Sequence, residues 1–256
     1  SGIDCVNEFK EPSCVIVKHT NPCGVSSSKN INDAFLNAYK CDSKSAFGGI
    51  VILNRKVNLK LAKILSKFFF EVIVCPKFDN KALSLLSKKN RLILLEIGNI
   101  KLSKEIVKST NFGLLHQSKN TELINKKFIS RQSTKDLKIK SLNDVYFGIK
   151  VAKHLKSNAI VLVKNKQCIG IGSGQTNRFA ALKMAIQNAK KNKLLKNYVC
   201  VSDGFFPFTD SIKLLNKNFC KIIVQPSGSI NDKKNVDYAN NNNIALYYMK
   251  QRMFKH

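Results

Sequence analysis

Five short stretches of this sequence combine side chains that could do chemistry. In Val17-Lys18-His19-Thr20-Asn21-Pro22-Cys23-Gly24, an apolar strand runs into adjacent Lys18 and His19 and then a turn-forming Asn-Pro. An imidazole accepts a proton near neutral pH, and a neighbouring ammonium stabilises a developing oxyanion or protonates a leaving nitrogen. A surface lysine beside a structural histidine is the ordinary alternative, and the dipeptide alone favours it. Asn158, at the entrance to the apolar run Ala159-Ile160-Val161, could fix a carboxamide or amine, because its amide both donates and accepts. Its commoner use is a turn or cap. Residues 170–178, rich in glycine, contain Gln175 and Arg178 and lead into a helical pattern, where main-chain N–H groups attract anions. Neither the Gly-x-Gly-x-x-Gly spacing nor a Gly-Lys-Ser/Thr ending is there, so both nucleotide motifs are rejected. In residues 202–210, Phe205, Phe206 and Phe208 surround Pro207 between Asp203 and Asp210. Such rings can sandwich a flat heterocycle while a carboxylate pairs with its N–H groups, and a buried aromatic corner would use the same rings. Arg252 and Phe254 in the last six residues would offer a guanidinium to an anion if the tail is docked, against the default of a frayed end.

Strand ends are where α/β proteins assemble such groups. The apolar patterning predicts strands over 14–18, 49–53, 72–75 and 91–95, alternating with helices over 31–40, 59–69 and 81–88. A polar, lysine-rich stretch at about 119–140 reads as a linker or peripheral insertion, which sets a boundary near residue 140. Beyond it come a helix over 142–155, a hairpin of 158–163 with 167–171, and a helix over 178–190. Strands over 199–202 and 219–224, helices after 210 and after 231, and a strand over 244–248 follow. The expected architecture is α/β in two units, 1–140 and 141–256. A solenoid is excluded, since no short period repeats.

Of the 256 residues 44% are hydrophobic, enough for a packed core, and no apolar run approaches the roughly 18 residues that would cross a bilayer. No membrane association is expected. Ser1-Gly2-Ile3-Asp4 does not resemble a signal peptide and reads as a trimmed or fragmentary start. The net charge of +28 first suggests nucleic acid, but lysines are scattered and only five arginines occur. Arginine is the residue that phosphate and base readers favour, so a coding bias is preferred and no nucleic-acid partner is expected. The eight cysteines form no Cys-x-x-Cys hook, so no metal is expected. Several lie in apolar runs as small hydrophobes, which fits a reducing cytoplasm.

Taken in order, several segments closely resemble the aminoimidazole carboxamide ribonucleotide (AICAR) transformylase part of the PurH family of bifunctional purine-biosynthesis enzymes. They are Val15 through Val25, Ser45-Ala46-Phe47-Gly48-Gly49-Ile50-Val51, Lys156-Ser157-Asn158-Ala159-Ile160-Val161, Ile169 through Gln175, Ser202-Asp203-Gly204-Phe205-Phe206-Pro207-Phe208 and Gln225-Pro226-Ser227-Gly228-Ser229-Ile230. The resemblance covers residues 5–256. It implies formyl transfer from 10-formyltetrahydrofolate, as co-substrate, to the 5-amino group of AICAR. It also implies a duplicated cytidine-deaminase-like fold of mixed sheets flanked by helices without zinc, and a cytoplasmic homodimer with sites near the subunit interface. By family position, His19 assists removal of the amine proton, Lys18 stabilises the formyl oxyanion or protonates the folate nitrogen, and Asn158 orients the reacting groups. Phe47, Gly48, Phe205, Arg252 and Phe254 would line the AICAR pocket; Phe208, Asp210 and the loop from Gln175 to Arg178 would face the folate. Thr209 stands where the family usually has arginine and Gly204 where it has alanine. The sequence lacks the family's cyclohydrolase domain and the opening transformylase segment with its Arg-Tyr-Gly motif, so closure to IMP is not expected of it. The alternative is a partial remnant that binds folate or nucleotide without turnover and needs a separate partner.

Overall fold

The computed structural model describes residues 1–98, 103–121, 124–136, 139–193 and 195–256. Its first half begins with a short helix α1 (Gly2–Val6) and a hairpin of β1 (Ser13–Lys18) and β2 (Asn21–Ser27). The hairpin turns on His19 and Thr20 alone, with φ of 49° and 67°. Two central residues with positive φ match the right-handed twist of the flanking strands. The turn therefore lies two residues ahead of the expected Asn-Pro, and Pro22 starts a strand that the sequence reading lacked. Next come α2 (Ile31–Cys41), α3 (Ser43–Ala46), β3 (Gly49–Leu53), α4 (Leu59–Leu65), β4 (Phe70–Cys75), α5 (Asn80–Leu86) and β5 (Ile93–Glu96). Asn30 caps α2 and Asn58 caps α4 by accepting from the main-chain N–H three residues on. Helix α4 stops at Leu65 instead of 69 because three successive phenylalanines cannot share one helical face. Phe68 packs on Phe35 at 5.6 Å, Phe70 enters β4, and Phe69 turns out to meet Phe47 at 5.0 Å.

A separate exposed hairpin follows, β6 (Glu105–Thr110) with β7 (Gly113–Ser118), and then β8 (Ile129–Arg131). The stretch read as a linker thus supplies a strand, held by the buried Phe128 beside it. Residues 122–123 and 137–138 of that stretch lie outside the described residues. The second half runs α6 (Ile139–Ala152), β9 (Ile160–Lys164), β10 (Gln167–Gly172), α7 (Arg178–Lys191), β11 (Tyr198–Ser202), α8 (Asp210–Lys217), β12 (Cys220–Pro226), α9 (Asp232–Asn241) and β13 (Ala245–Met249).

Eleven strands form one mixed sheet in the order β5-β4-β3-β1-β2-β10-β9-β11-β12-β13-β8. Leaving β8 aside, the order reads the same from either end: in each half a hairpin is extended antiparallel by one strand and then by two parallel ones. The halves meet where Ser26 of β2 pairs with Gln167 of β10. One face of the sheet carries a single core that takes Val15, Val17 and Ile52 from the first half and Val145, Val161 and Val201 from the second. The other face carries two cores, Ile16 with Phe35 and Leu61 in one and Leu162 with Leu182 and Ile212 in the other.

Glycines let helices sit close to the two central strands. A Cβ on Gly24 would lie 2.1 Å from the Ala38 carbonyl oxygen, and Cβ atoms on Gly170 and Gly172 would lie 2.1 and 1.9 Å from those of Ala185 and Ala181. These two glycines of the third candidate motif thus serve strand–helix packing instead of cradling an anion.

Candidate active site

The alternating strand directions bring one end of β1, β2, β3, β4, β9, β10, β11, β12 and β13 to the same edge of the sheet. All five candidate motifs open onto that edge. Lys18 closes β1, and its Nζ donates to the Gly48 carbonyl oxygen at 2.8 Å. Gly48 has φ of +62°, and a side chain there would meet Lys18 Nζ at 3.1 Å, Phe69 at 3.3 Å and Glu71 Oε1 at 3.4 Å. Phe47, 65% exposed, rests its ring on Phe69. The sequence reading missed Phe69 and Glu71, which only the end of α4 exposes to this edge.

His19 is exposed at the hairpin tip, with a left-handed backbone that ordinary residues avoid. Thr20, β-branched, shares it. Strained backbone of this sort persists where the surroundings impose it and is frequent at functional sites. Asn21, two residues after His19, supplies the constraint: its Nδ2 donates to Ser173 Oγ at 2.7 Å, and its Oδ1 accepts from the Lys156 N–H at 3.1 Å. The second contact reaches a residue two before Asn158, so the first and second candidate motifs are tied directly.

Asn158 is fully oriented. Its Nδ2 donates to the Gln175 carbonyl oxygen at 2.9 Å, and its Oδ1 accepts from Arg178 Nη1 at 2.7 Å. The peptide joining Ser157 to Asn158 is cis. Arg178, first residue of α7, spends its other nitrogens on Ser202 Oγ (3.0 Å) and Asp203 Oδ1 (2.7 Å). Asp203 is wholly buried and also accepts from the Ser157 hydroxyl. Burial draws the Arg178 guanidinium below its usual value, opposed by the Asp203 carboxylate. The sequence reading named Asp203 only as one of the two carboxylates flanking the aromatic loop and gave Ser202 no role, because the partners of Asp203 lie 25 and 46 residues away.

The aromatic loop and the tail complete the edge. The Arg252 guanidinium lies 5.0 Å from the Phe205 ring and 5.8 Å from that of Phe254, and Arg178 lies 5.9 Å from Phe254 on its own account. Every nitrogen of Arg178 is already hydrogen-bonded to Ser202, Asn158 or Asp203, so it is Arg252 that can turn an N–H edge to an anion while its face is used in cation–π contact. The tail is docked, not frayed: the Met253 N–H donates to the Asp203 carbonyl oxygen at 2.9 Å, and the Ser157 N–H donates to that of Lys255 at 3.0 Å. Gly204 fits under this stack, for a Cβ there would lie 2.3 Å from Arg178 Nη2 and 2.8 Å from Phe254. Phe206 alone of the three loop rings is core, its main chain clamped by Gln225 and Asn235. Phe208 is 62% exposed. Asp210, at the start of α8, accepts from the Ser211 N–H at 2.6 Å. These two share the loop with Phe205, although among the described residues no hydrogen bond, ion pair or ring contact joins them to Arg178 or His19.

A concavity of about 750 Å³ lies at the opposite edge, between the Glu11–Lys166 ion pair and the start of α2, and is lined by none of these groups. Volume does not outweigh chemistry here, since its walls are solvated lysines, asparagines and serines. Among the described residues no group of three or more His, Cys, Asp or Glu side chains could hold a metal ion, and no helix is long and apolar enough to cross a membrane.

A family model described as AICARFT/IMPCHase bienzyme matches residues 1–188. Bifunctional purine biosynthesis protein PurH of Caldicellulosiruptor saccharolyticus is 44% identical over 261 aligned residues, covering 100% of this chain and 50% of that protein. The proteins of the same name from Acetivibrio thermocellus and Buchnera aphidicola are 41% and 42% identical, with 50% and 49% of their lengths covered. The chain therefore spans about half the length of the curated relatives it matches, and it belongs to the AICARFT/IMPCHase bienzyme family.

Proposed function

We propose that the chain transfers a formyl group from 10-formyltetrahydrofolate to the 5-amino group of AICAR. The observation that carries this reading is the meeting of Lys18, His19, Asn158 and the Phe205–Arg252–Phe254 stack at one sheet edge, held by Asn21 and Arg178. The acceptor amine is a poor nucleophile, its lone pair being delocalised into the imidazole and carboxamide, so alignment and proton handling must supply the rate. His19, exposed at its turn, takes the amine proton as the amine bonds to the formyl carbon; when the bond from that carbon to the folate nitrogen breaks, a proton from Lys18 or from the protonated His19 goes to that nitrogen and tetrahydrofolate leaves. Lys18, directed along the edge by the Gly48 carbonyl, stabilises the charge that develops on the formyl oxygen. Asn158 has one N–H and one lone pair left after its two internal bonds, and these orient the acceptor. Phe47, Gly48, Phe205, Arg252 and Phe254 form the acceptor's walls. Phe208 offers an exposed ring face to the pterin, and Asp210 keeps one carboxylate oxygen for its amino group. Gln175 and Arg178 border that side.

The mirrored strand order supports a duplicated, cytidine-deaminase-like pair of units dividing near residue 140. A homodimer is supported by the apolar side chains of Val107, Phe112, Leu114 and Leu115 left bare on the β6–β7 hairpin. Eight free cysteines support a cytoplasmic setting.

The test is formyl transfer by the purified chain against its His19→Ala variant, followed by tetrahydrofolate release. A positioned base contributes about 10²- to 10⁴-fold, so the variant should lose at least about 100-fold with its circular dichroism unchanged. Equal rates would remove His19 from the mechanism. Calorimetric binding of AICAR and folate with no product would favour the partial-remnant alternative.

A further inference from the structure

We propose that Asp203 is the positioning residue of this edge, setting through Arg178 which way the Asn158 amide faces. The proposal rests on the reading of Asn158 as the group that orients the acceptor. Asp203 is 0% exposed and lies in direct contact with neither the open edge nor solvent. Its two carboxylate oxygens go to different elements: one accepts from Arg178 Nη2 at 2.7 Å, the other from the Ser157 hydroxyl. Its main chain is pinned as well, by the Ala159 carbonyl at 3.1 Å and the Met253 N–H at 2.9 Å. The carboxylate is therefore a fixed point from which the guanidinium is aimed.

The consequence falls on Asn158. An amide can flip, exchanging its oxygen and nitrogen, whenever neither end is committed. Here Arg178 Nη1 can only donate, so it selects the oxygen, and the Gln175 carbonyl can only accept, so it selects the nitrogen. A charge-assisted bond is the stronger selector of the two. Asp203 balances the charge of Arg178 in a site where an unpaired cation would be costly, and Ser157, next to Asn158 in the chain, fixes the other carboxylate oxygen. Gly204 leaves room at the end of the guanidinium: a Cβ there would lie 2.3 Å from Nη2, so that end would have to shift. Asp203 thus sets the aim of Arg178.

The experiment uses the full chain, labelled with nitrogen-15, and follows the Asn158 side-chain amide resonance, assigned by its loss in Asn158→Ala. In Asp203→Asn the resonance should move and its hydrogen exchange accelerate by about tenfold or more. The kcat for formyl transfer should fall by roughly 10- to 100-fold, the scale of a misplaced reacting group, with KM for AICAR changed less than about threefold. Asp203→Glu should restore part of both. A carboxylate that served only the fold would lower stability and leave the amide resonance and kcat of the folded protein where they were, and that result would overturn the proposal. If Asp203→Asn does not fold, Ser157→Ala decides, because it frees one carboxylate oxygen without unbalancing charge: the amide resonance should shift in the same direction by a smaller amount, and an unmoved resonance overturns the proposal. Should the unmodified chain show no turnover, the formyl-transfer reading fails, and the resonance still tests the role of Asp203.

Discussion

Glu8 and His154 show how a single pair can report on the folding of the whole edge. The His154 ring nitrogen Nε2 lies 3.0 Å from Glu8 Oε1, Lys153 Nζ lies 2.5 Å from the same oxygen, and Lys255 donates to the His154 carbonyl oxygen at 3.3 Å. Burial pushes the imidazole below its ordinary value of 6.5, against the pull of Glu8, with Lys153 and Lys255 adding to the depression. For Glu8 burial acts upward, but bonds from His154 and Lys153 outweigh it and hold the carboxyl below 4.5. For both groups the unfolded chain binds protons first on acidification. The histidine's contribution is complete above about pH 6.5 and is lost as pH falls toward its folded value, whereas the Glu8 contribution stays intact until about pH 4.5. Urea midpoints should therefore fall between about pH 7 and pH 5, and His154→Gln should flatten that slope; an equally steep slope in the variant would assign the effect elsewhere. At this scale the sequence was readable where chemistry is local. Lys18-His19 and Asn158 stood out because their neighbours announce a strand end. Asp203 and His154 did not, since what buries each of them comes from other elements.

The elements obey a different logic, in which glycine decides how closely a helix approaches a strand. Gly172 and Gly174 are two residues apart in one glycine-rich run, and the structure separates their roles. Gly172 lies under α7, where a Cβ would be 1.9 Å from a backbone oxygen. Gly174 has φ of +66°, with nothing nearer than the Lys156 Cβ at 4.0 Å. Gly172→Ala must displace a helix, which costs about 1–3 kcal/mol or more, and Gly174→Ala costs roughly 1 kcal/mol for a left-handed alanine. Denaturant titration of both variants should rank them in that order; a larger loss at Gly174 would show that α7 yields easily. The sequence marked these glycines as unusual and attached them to anions, because a pattern of glycines does not say whether a ligand or a helix comes close. The longer helices were legible, with ends displaced by a few residues, as for α6, which begins at Ile139 and not at 142, whereas the short α1 and α3 carry too few periodic residues to be read. Strand β2 was hidden by Asn-Pro, which resembles a turn. The β6–β7 hairpin was hidden because its apolar residues alternate to no single face.

At the scale of the whole molecule, the question is whether the mirrored halves fold as one. In the sheet they pair at Ser26 and Gln167 and, at its far side, where Ile129, Ser130 and Arg131 of β8 meet Met249, Tyr248 and Tyr247 of β13; the central pair is supported by the Ser27 N–H donating to the Lys166 carbonyl oxygen at 2.9 Å and by Gln167 Nε2 donating to that of Asn37 at 2.9 Å. Polar contacts of this kind would not hold two independent domains together. The core on the α6 face changes the balance, because Val17 and Ile52 of the first half are packed in the same apolar cluster as Val145 and Val161 of the second. Separating the halves would expose that cluster to water at about 25 cal/mol per Å², so neither half should persist alone. The tyrosines make this testable: Tyr39 lies in the first half, the other five lie in the second, and there is no tryptophan. Tyrosine emission therefore reports mainly the second half, and far-ultraviolet circular dichroism reports both. The two should give coincident urea transitions. Ile16→Ala, a truncation buried in the first half's own core, should cost about 2–5 kcal/mol and move the tyrosine transition by the same amount as the dichroism. A tyrosine transition that stays in place while the dichroism splits into two steps would mean that the halves are coupled at their shared edge but not in their folding.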